Sequence, residues 1–253
     1  MNLSSMSLLA PAKRFTSGAL RAMGYKVTAI DRPSPDMETE FTSSLDVCKP
    51  YSCASVERMH ALYQATRYVI RSGIPGAIVE CGVWKGGSMM MSALTLQQMG
   101  VTDRQIFMYD TYAGMSEPLE KDGIDANSGW RSKQKESHND WCYSPLEEVR
   151  TNMAVTRYPA NNIQFIQGKV EDTIPQTIPD QIALLRLDTD WYESTIHELR
   201  HLFPRLSRNG VLLLDDYGHW KGARDAVDEY VQTNNLPFLL HRIDYSGRLA
   251  IKS

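Results

Sequence analysis

Residues 77–99 read AIVECGVWKGGSMMMSALTLQQM, and this stretch decides the fold. Ala77 to Glu80 is a short apolar run ending in an acid, Gly82 to Ser88 is a glycine-containing turn, and the remainder carries apolar residues at helical spacing. Strand, turn and helix in that order open a βαβ unit. Upstream, Met59, Leu62, Tyr63, Thr66, Val69 and Ile70 share one helical face, and that helix, entered after Ser55, stops near Gly73 and Pro75. Downstream, further strands are expected at 105–109, 162–166, 182–187 and 210–214, each followed by sequence that can return the chain for a parallel neighbour. Residues 238–242 and 248–251, joined by a turn at 244–247, read as a closing hairpin. The pattern predicts an α/β fold, a doubly wound Rossmann-like sheet with an antiparallel C-terminal edge.

Two segments fall outside this alternation. Residues 1–50 have no sustained period, and DRPSPDMETEF at 31–41 contains two prolines, so the segment is expected to be an N-terminal arm or lid on a domain spanning 51–253. The stretch 113–144, rich in glycine and charge, reads as a long irregular loop. It follows a strand's carboxyl end, where open α/β sheets bind ligands, which points to a substrate-covering role.

With 253 residues, 42% apolar and 23% charged, the composition is that of an ordinary globular protein. Lys+Arg at 27 against Asp+Glu at 30 gives a formal charge of -3, which offers no basic footprint for nucleic acid. Cys48, Cys53, Cys81 and Cys142 form no C-x-x-C pair, so a reducing cytoplasm is the expected location. No apolar run approaches the roughly 18 residues of a membrane span. The apolar patch at 6–10 lacks a preceding basic residue and is short for a secretory core, so the start is read as a mature terminus.

The turn's glycines, Gly82, Gly86 and Gly87, match neither G-x-G-x-x-G nor a P-loop. An acid at the strand end, Glu80, repels phosphate but can hold an amino group, and Asp110 at the next strand end suits a ribose diol. Together they point to a nucleoside ligand that carries a cation and no phosphate, which is the chemistry of S-adenosylmethionine. The alternative is that Glu80 merely caps the turn.

Two later runs, LLRLDTDWYES and LLLDDYGHW, end in paired acids, so Asp188, Asp190, Asp215 and Asp216 should gather at the carboxyl edge of neighbouring strands. Asp188 and Asp190 point the same way in extended chain. Four unneutralised carboxylates would repel one another, and a hard divalent cation, Mg²⁺ rather than Zn²⁺, compensates them. Helix capping is the competing explanation. Asp-x-Asp also serves metal-dependent glycosyltransferases; the aspartyl phosphatases lack support because Tyr192 stands where they usually need Thr or Val. His197 and His201 share a face at i, i+4 without a third ligand and read as a surface helix. Ser88 and Ser92 have no G-x-S-x-G context.

The blocks GIPGAIVECGVWKGGSMMM, YDTYAGMSEP, IALLRLDTDWYEST and GVLLLDDYGHWKGARDAVDEY resemble the macrocin O-methyltransferase family over roughly residues 45–253. Members of that family methylate sugar hydroxyls on macrolides and on the noviose of aminocoumarins. The resemblance implies a class I methyltransferase sheet, with S-adenosylmethionine held by Glu80 and Gly82 at its methionine end and by Asp110 at its ribose, and with Ser88 among the cofactor-binding residues. It also implies that Gly168, Glu171 and Asp172 enclose the adenine and that Ser55 touches the cofactor carboxylate. Asp188, Asp215 and Asp216 would bind Mg²⁺ and Asp190 would act as general base toward a glycoside acceptor. A homo-oligomer is expected. The rivals are a glycosyltransferase using the Asp-x-Asp pair and a catalytically silent cofactor-binding protein.

Overall fold

The computed structural model describes Met23 and residues 32–253 apart from Phe238. Residues 35–253 form one compact unit. Of the arm expected over 1–50, residues 1–22 and 24–31, with the apolar patch at 6–10, lie outside the described residues. The later part of that segment is helical. Helix α1 (Thr39–Cys48) buries Phe41, Leu45 and Cys48 in the core, so 39–48 belongs to the domain packing. Pro33 and Pro35 precede its first turn and therefore do not break it.

Helix α2 (Val56–Arg71) begins where expected, because the Ser55 hydroxyl accepts from the Arg58 N–H at 3.1 Å, and it ends before Gly73, whose φ is +62°. Strand β1 (Ala77–Cys81) then leads through Gly86, at φ +90°, into α3 (Gly87–Gln98). After β2 (Ile106–Asp110) come α4 (Ile124–Lys133), α5 (Leu146–Val155), β3 (Ile163–Gln167) and the short α6 (Val170–Thr173). The chain closes with β4 (Ile182–Leu187), α7 (Tyr192–Leu202), β5 (Leu206–Leu214), α8 (Lys221–Thr233), β6 (His241–Arg242) and β7 (Arg248–Ile251).

Among the described residues seven strands form one sheet in the order β3-β2-β1-β4-β5-β7-β6. β1 to β5 pair in parallel, whereas β7 runs antiparallel to β5 and β6 antiparallel to β7. The expected hairpin is present, although its first strand starts only at His241. Side chains alternate between two apolar layers: Ile78, Leu184 and Val211 pack toward α1, α2 and α3, while Val79, Leu185 and Leu212 pack toward α7 and α8. Residues buried on both faces are what a central parallel sheet requires.

The stretch 113–144 is more ordered than its composition predicts. It contains a 3₁₀ turn (Glu120–Asp122), α4 and a bridge between Gln134 and Asn139. Polar pins hold it instead of an apolar stripe: Asn139 Nδ2 donates to Trp130 O at 2.9 Å, Trp130 Nε1 to Met115 O at 2.8 Å, and Asp122 Oδ1 accepts from Tyr192 N at 2.7 Å.

Candidate active site

The sheet's order reverses at β1, and the carboxyl ends of β1, β2, β4 and β5 open into a cavity of about 510 Å³. Gly82, Ser88, Asp110 and all four aspartates of the two paired motifs line it. A smaller recess shares Gly82, Asp110 and Asp188 with the cavity and continues to Gly168, Val170 and Glu171. Asp172 faces a separate hollow beside Trp191 and Glu193.

Close approach explains Gly82. Its φ is +81°, and a Cβ there would lie 1.9 Å from the Asp188 carbonyl oxygen, so only glycine lets β1 leave the sheet beside β4. Asp110 fixes the same turn: its Oδ2 accepts from the Val83 and Trp84 N–H groups at 2.6 and 3.0 Å, and its Oδ1 from Tyr112 N at 2.7 Å. Burial raises the Asp110 carboxyl, and these N–H groups oppose the rise. The Ser55 hydroxyl is already committed, since it donates to Asp244 Oδ2 at 2.6 Å while capping α2; Ser52, Cys53 and Ala54 line the cavity in its place. Glu171 accepts from Ser194 Oγ at 2.7 Å.

The acids are not unneutralised, which corrects the sequence expectation. Arg186, within the apolar run of β4, sits in register with Glu80 on β1 and is 4% exposed. Its Nη1 donates to Glu80 Oε1 and to Asp188 Oδ2, each at 2.6 Å, and its Nη2 donates to Asp215 Oδ1. Arg58, on α2, donates through Nη1 to Asp215 Oδ2 and through Nε to Asp244 at 3.1 Å. Glu80 thus lies beneath the cavity as Arg186's partner, with burial pushing its carboxyl up to about 7. Its Oε2 is buried without a hydrogen-bond partner, an unused acceptor beside the glycine turn. Neither arginine is legible in the sequence: Arg186 meets Glu80 only through the register of β4 on β1, and Arg58, on helix α2, meets acids 157 and 186 residues away.

Asp188, Asp215 and Asp216 each offer an oxygen within 4.8 Å of the others, the only such three-residue group among the described residues. An all-carboxylate donor set fits a hard divalent cation, and burial pushes Asp188 and Asp216 well up, as expected of crowded acids. Asp190 stands beside them. It is a non-glycine residue at φ +65°, and its carboxyl is pushed up to about 7 by burial, with the neighbouring Asp216 and Trp220 side chains opposing the rise.

An aromatic wall faces the acids. Trp141, from the 113–144 stretch, packs edge-on against Trp191 and Trp220 at 5.8 and 5.9 Å, and those two lie 5.3 Å apart. On the other face of the sheet, α7 reads HELRH at 197–201, which has the H-E-x-x-H spacing of a zinc-binding helix. It is still no metal centre: Glu198 is turned into the core, His197 Nε2 lies 2.8 Å from Ile174 O, and no third ligand joins the pair among the described residues. No described helix is long and apolar enough to cross a membrane.

A family model described as macrocin-O-methyltransferase (TylF) matches residues 27–250. The chain is 33% identical over 197 residues to 8-demethyl-8-(2,3-dimethoxy-alpha-L-rhamnosyl)-tetracenomycin-C 4'-O-methyltransferase of Streptomyces olivaceus, covering 78% of this chain and 74% of that enzyme. It is 32% identical to demethyldecarbamoylnovobiocin O-methyltransferase of Streptomyces niveus over the same shares of each chain. Among solved structures, the O-methyltransferase NovP superposes with a TM-score of 0.71 at 30% identity, covering 80% of this chain and 82% of that one.

Proposed function

Because this chain belongs to the macrocin O-methyltransferase (TylF) family, we propose that it moves a methyl group from S-adenosylmethionine to a sugar hydroxyl of a glycosylated natural product, with a divalent cation, Mg²⁺, at Asp188, Asp215 and Asp216. The observation that carries this reading is the placement of Asp190 on the same cavity wall as those three acids, next to a recess entered past Gly82 and Asp110. The rhamnosyl and novobiocin substrates in the relatives' names supply the acceptor class.

When bound, S-adenosylmethionine supplies an electrophilic methyl on a sulfonium, and the cation supplies positive charge beside the acceptor oxygen. Gly82 leaves room for the methionine end, Ser88 stands at the start of α3 beside it, and the partnerless Glu80 oxygen suits an amino group. Asp110 sits where the cavity meets the recess and is assigned the ribose; Gly168 and Glu171 are assigned the adenine. Asp190 takes the proton of the acceptor hydroxyl as the C–O bond forms and the S–C bond breaks, a role typically worth about 10²–10⁴-fold in rate. Arg186 keeps Asp188 and Asp215 aimed at one point and offsets part of their charge. Trp141 brings the 113–144 stretch to the cavity wall, where it covers the reacting groups from water.

The test is a methyl-transfer assay with labelled S-adenosylmethionine on 4-nitrophenyl α-L-rhamnopyranoside, novobiocic-type glycosides and simple catechols, with and without chelator. Transfer to a sugar oxygen that stops with chelator and returns with Mg²⁺ is expected. Transfer to catechols alone, or full turnover in chelator, overturns the acceptor or the metal assignment respectively.

A further inference from the structure

Glu198 lies on α7 with 0% exposure, outside the cavity, and no step of the proposed reaction uses it. Its Oε2 accepts a hydrogen bond from Thr189 Oγ1 at 3.2 Å, the Cys81 thiol on β1 also contacts the carboxyl, and its buried Oε1 makes no hydrogen bond of normal geometry. A half-satisfied carboxyl in an apolar layer is costly, and an apolar side chain of similar volume is generally neutral or better for stability. Packing alone therefore gives no reason for an acid here.

The reason lies in its partner. Thr189 separates Asp188 from Asp190; both aspartates line the main cavity, while the threonine borders the smaller recess and its hydroxyl bonds to Glu198 on α7. Its carbonyl accepts from Trp191 N at 2.7 Å, so the residue is pinned by side chain and backbone alike. Immediately after it, Asp190 adopts φ +65°, a left-handed conformation that is strained for a non-glycine residue and persists only where its surroundings impose it. We propose that Glu198 is a positioning residue: by pegging Thr189 from beneath, it holds the Asp-Thr-Asp turn in the strained form that points Asp190 into the cavity. Burial pushes the Glu198 carboxyl well up, toward its uncharged form.

This rests on the reading of Asp190 as the base. The decisive measurement needs no acceptor: a crystal structure of Glu198→Met, with its melting temperature. We expect Tm unchanged or raised, S-adenosylhomocysteine affinity unchanged, and Asp190 relaxed to negative φ. With 4-nitrophenyl α-L-rhamnopyranoside as acceptor, kcat should fall about 10- to 100-fold at near-constant KM. Thr189→Val should match that loss, the double variant should be no worse, and Glu198→Gln, whose amide can still pair with Thr189, should recover most of it. Asp190 still at φ near +65° in Glu198→Met, or activity that falls only in step with Tm, overturns the inference. Should Glu198→Met fail to fold, the Thr189→Val structure decides by the same φ criterion. An active Asp190→Asn defeats the base reading instead, whereas an inactive Asp190→Asn beside fully active Glu198→Met and Thr189→Val defeats this inference alone.

Discussion

Arg58 and Arg186 hold opposite oxygens of one carboxylate, Asp215: Arg58 Nη1 engages Oδ2 and Arg186 Nη2 engages Oδ1. The two cations are not equivalent. Arg186 is almost fully buried and tied to three acids, while the Arg58 side chain is 19% exposed, lines the cavity and is anchored separately through Nε to Asp244. A cation at Asp188, Asp215 and Asp216 that takes Asp215 Oδ2 competes with Arg58 for it. Arg58→Met, which keeps much of the length and loses the charge, should bind Mn²⁺ about fivefold more tightly by calorimetry, in keeping with a partly exposed ion pair of about 1 kcal/mol. Equal or weaker binding in a folded variant would show that Arg58 is no competitor.

Gly82 should tolerate no side chain. A Cβ meets the Asp188 carbonyl at 1.9 Å on a backbone already at φ +81°. Gly82→Ala should cost upwards of about 2 kcal/mol in chemical denaturation and weaken S-adenosylhomocysteine binding, because β1 and β4 must part at the point where cavity and recess join. A variant with wild-type stability and affinity would remove Gly82 from this role.

What could be read in the chain was local. Apolar runs such as Ile182–Leu187 announced the strands, paired acids at their ends announced the cavity wall, and Ser55 marked the start of α2. What could not be read was the identity of distant partners. Ser55 also donates to Asp244, 189 residues away, and Arg186 faces Glu80 only because β1 and β4 are neighbours in register. The period in α1 was legible, since Phe41, Leu45 and Cys48 follow helical spacing, but the prolines ahead of it drew the reading toward an arm. The 113–144 stretch was misjudged for another reason: side-chain bonds to backbone hold it, and those leave no periodic trace.

Glu38 makes a prediction about acid stability. Its carboxyl contacts His60 at 2.9 Å, Gln64 at 2.6 Å and Arg67 at 2.6 Å, tying the start of α1 to α2. Burial works to raise it, but hydrogen bonds from His60, its own backbone and Gln64 outweigh that and bring it down to about 2. A carboxyl lower in the folded than in the unfolded chain stabilises the fold above its unfolded value, near 4.5, and this contribution disappears as pH falls toward 2. Glu38→Gln should therefore lose about 1 kcal/mol at pH 7, with the difference from wild type shrinking between pH 4.5 and 2 in urea titrations. A gap that stays constant through that range would mean the contribution is steric.

Asp190 makes the corresponding prediction for turnover. Burial pushes its carboxyl up to about 7, so below that pH it holds a proton and cannot accept one from a sugar hydroxyl. kcat should accordingly fall as pH drops through an acid limb, and Asp190→Asn, similar in size but without proton affinity, should lose about 10²–10⁴-fold with Mg²⁺ and S-adenosylhomocysteine binding retained. The neighbouring acids give the limb a signature of its own. Asp188 contributes to the rise in Asp190, so a cation that neutralises Asp188 and Asp216 favours the ionised form of Asp190 and shifts the limb to lower pH. Profiles recorded at low and saturating Mg²⁺ should separate in that direction. Coincident profiles would detach the base from the metal-binding acids, and an Asp190→Asn variant with full turnover would remove it from the reaction.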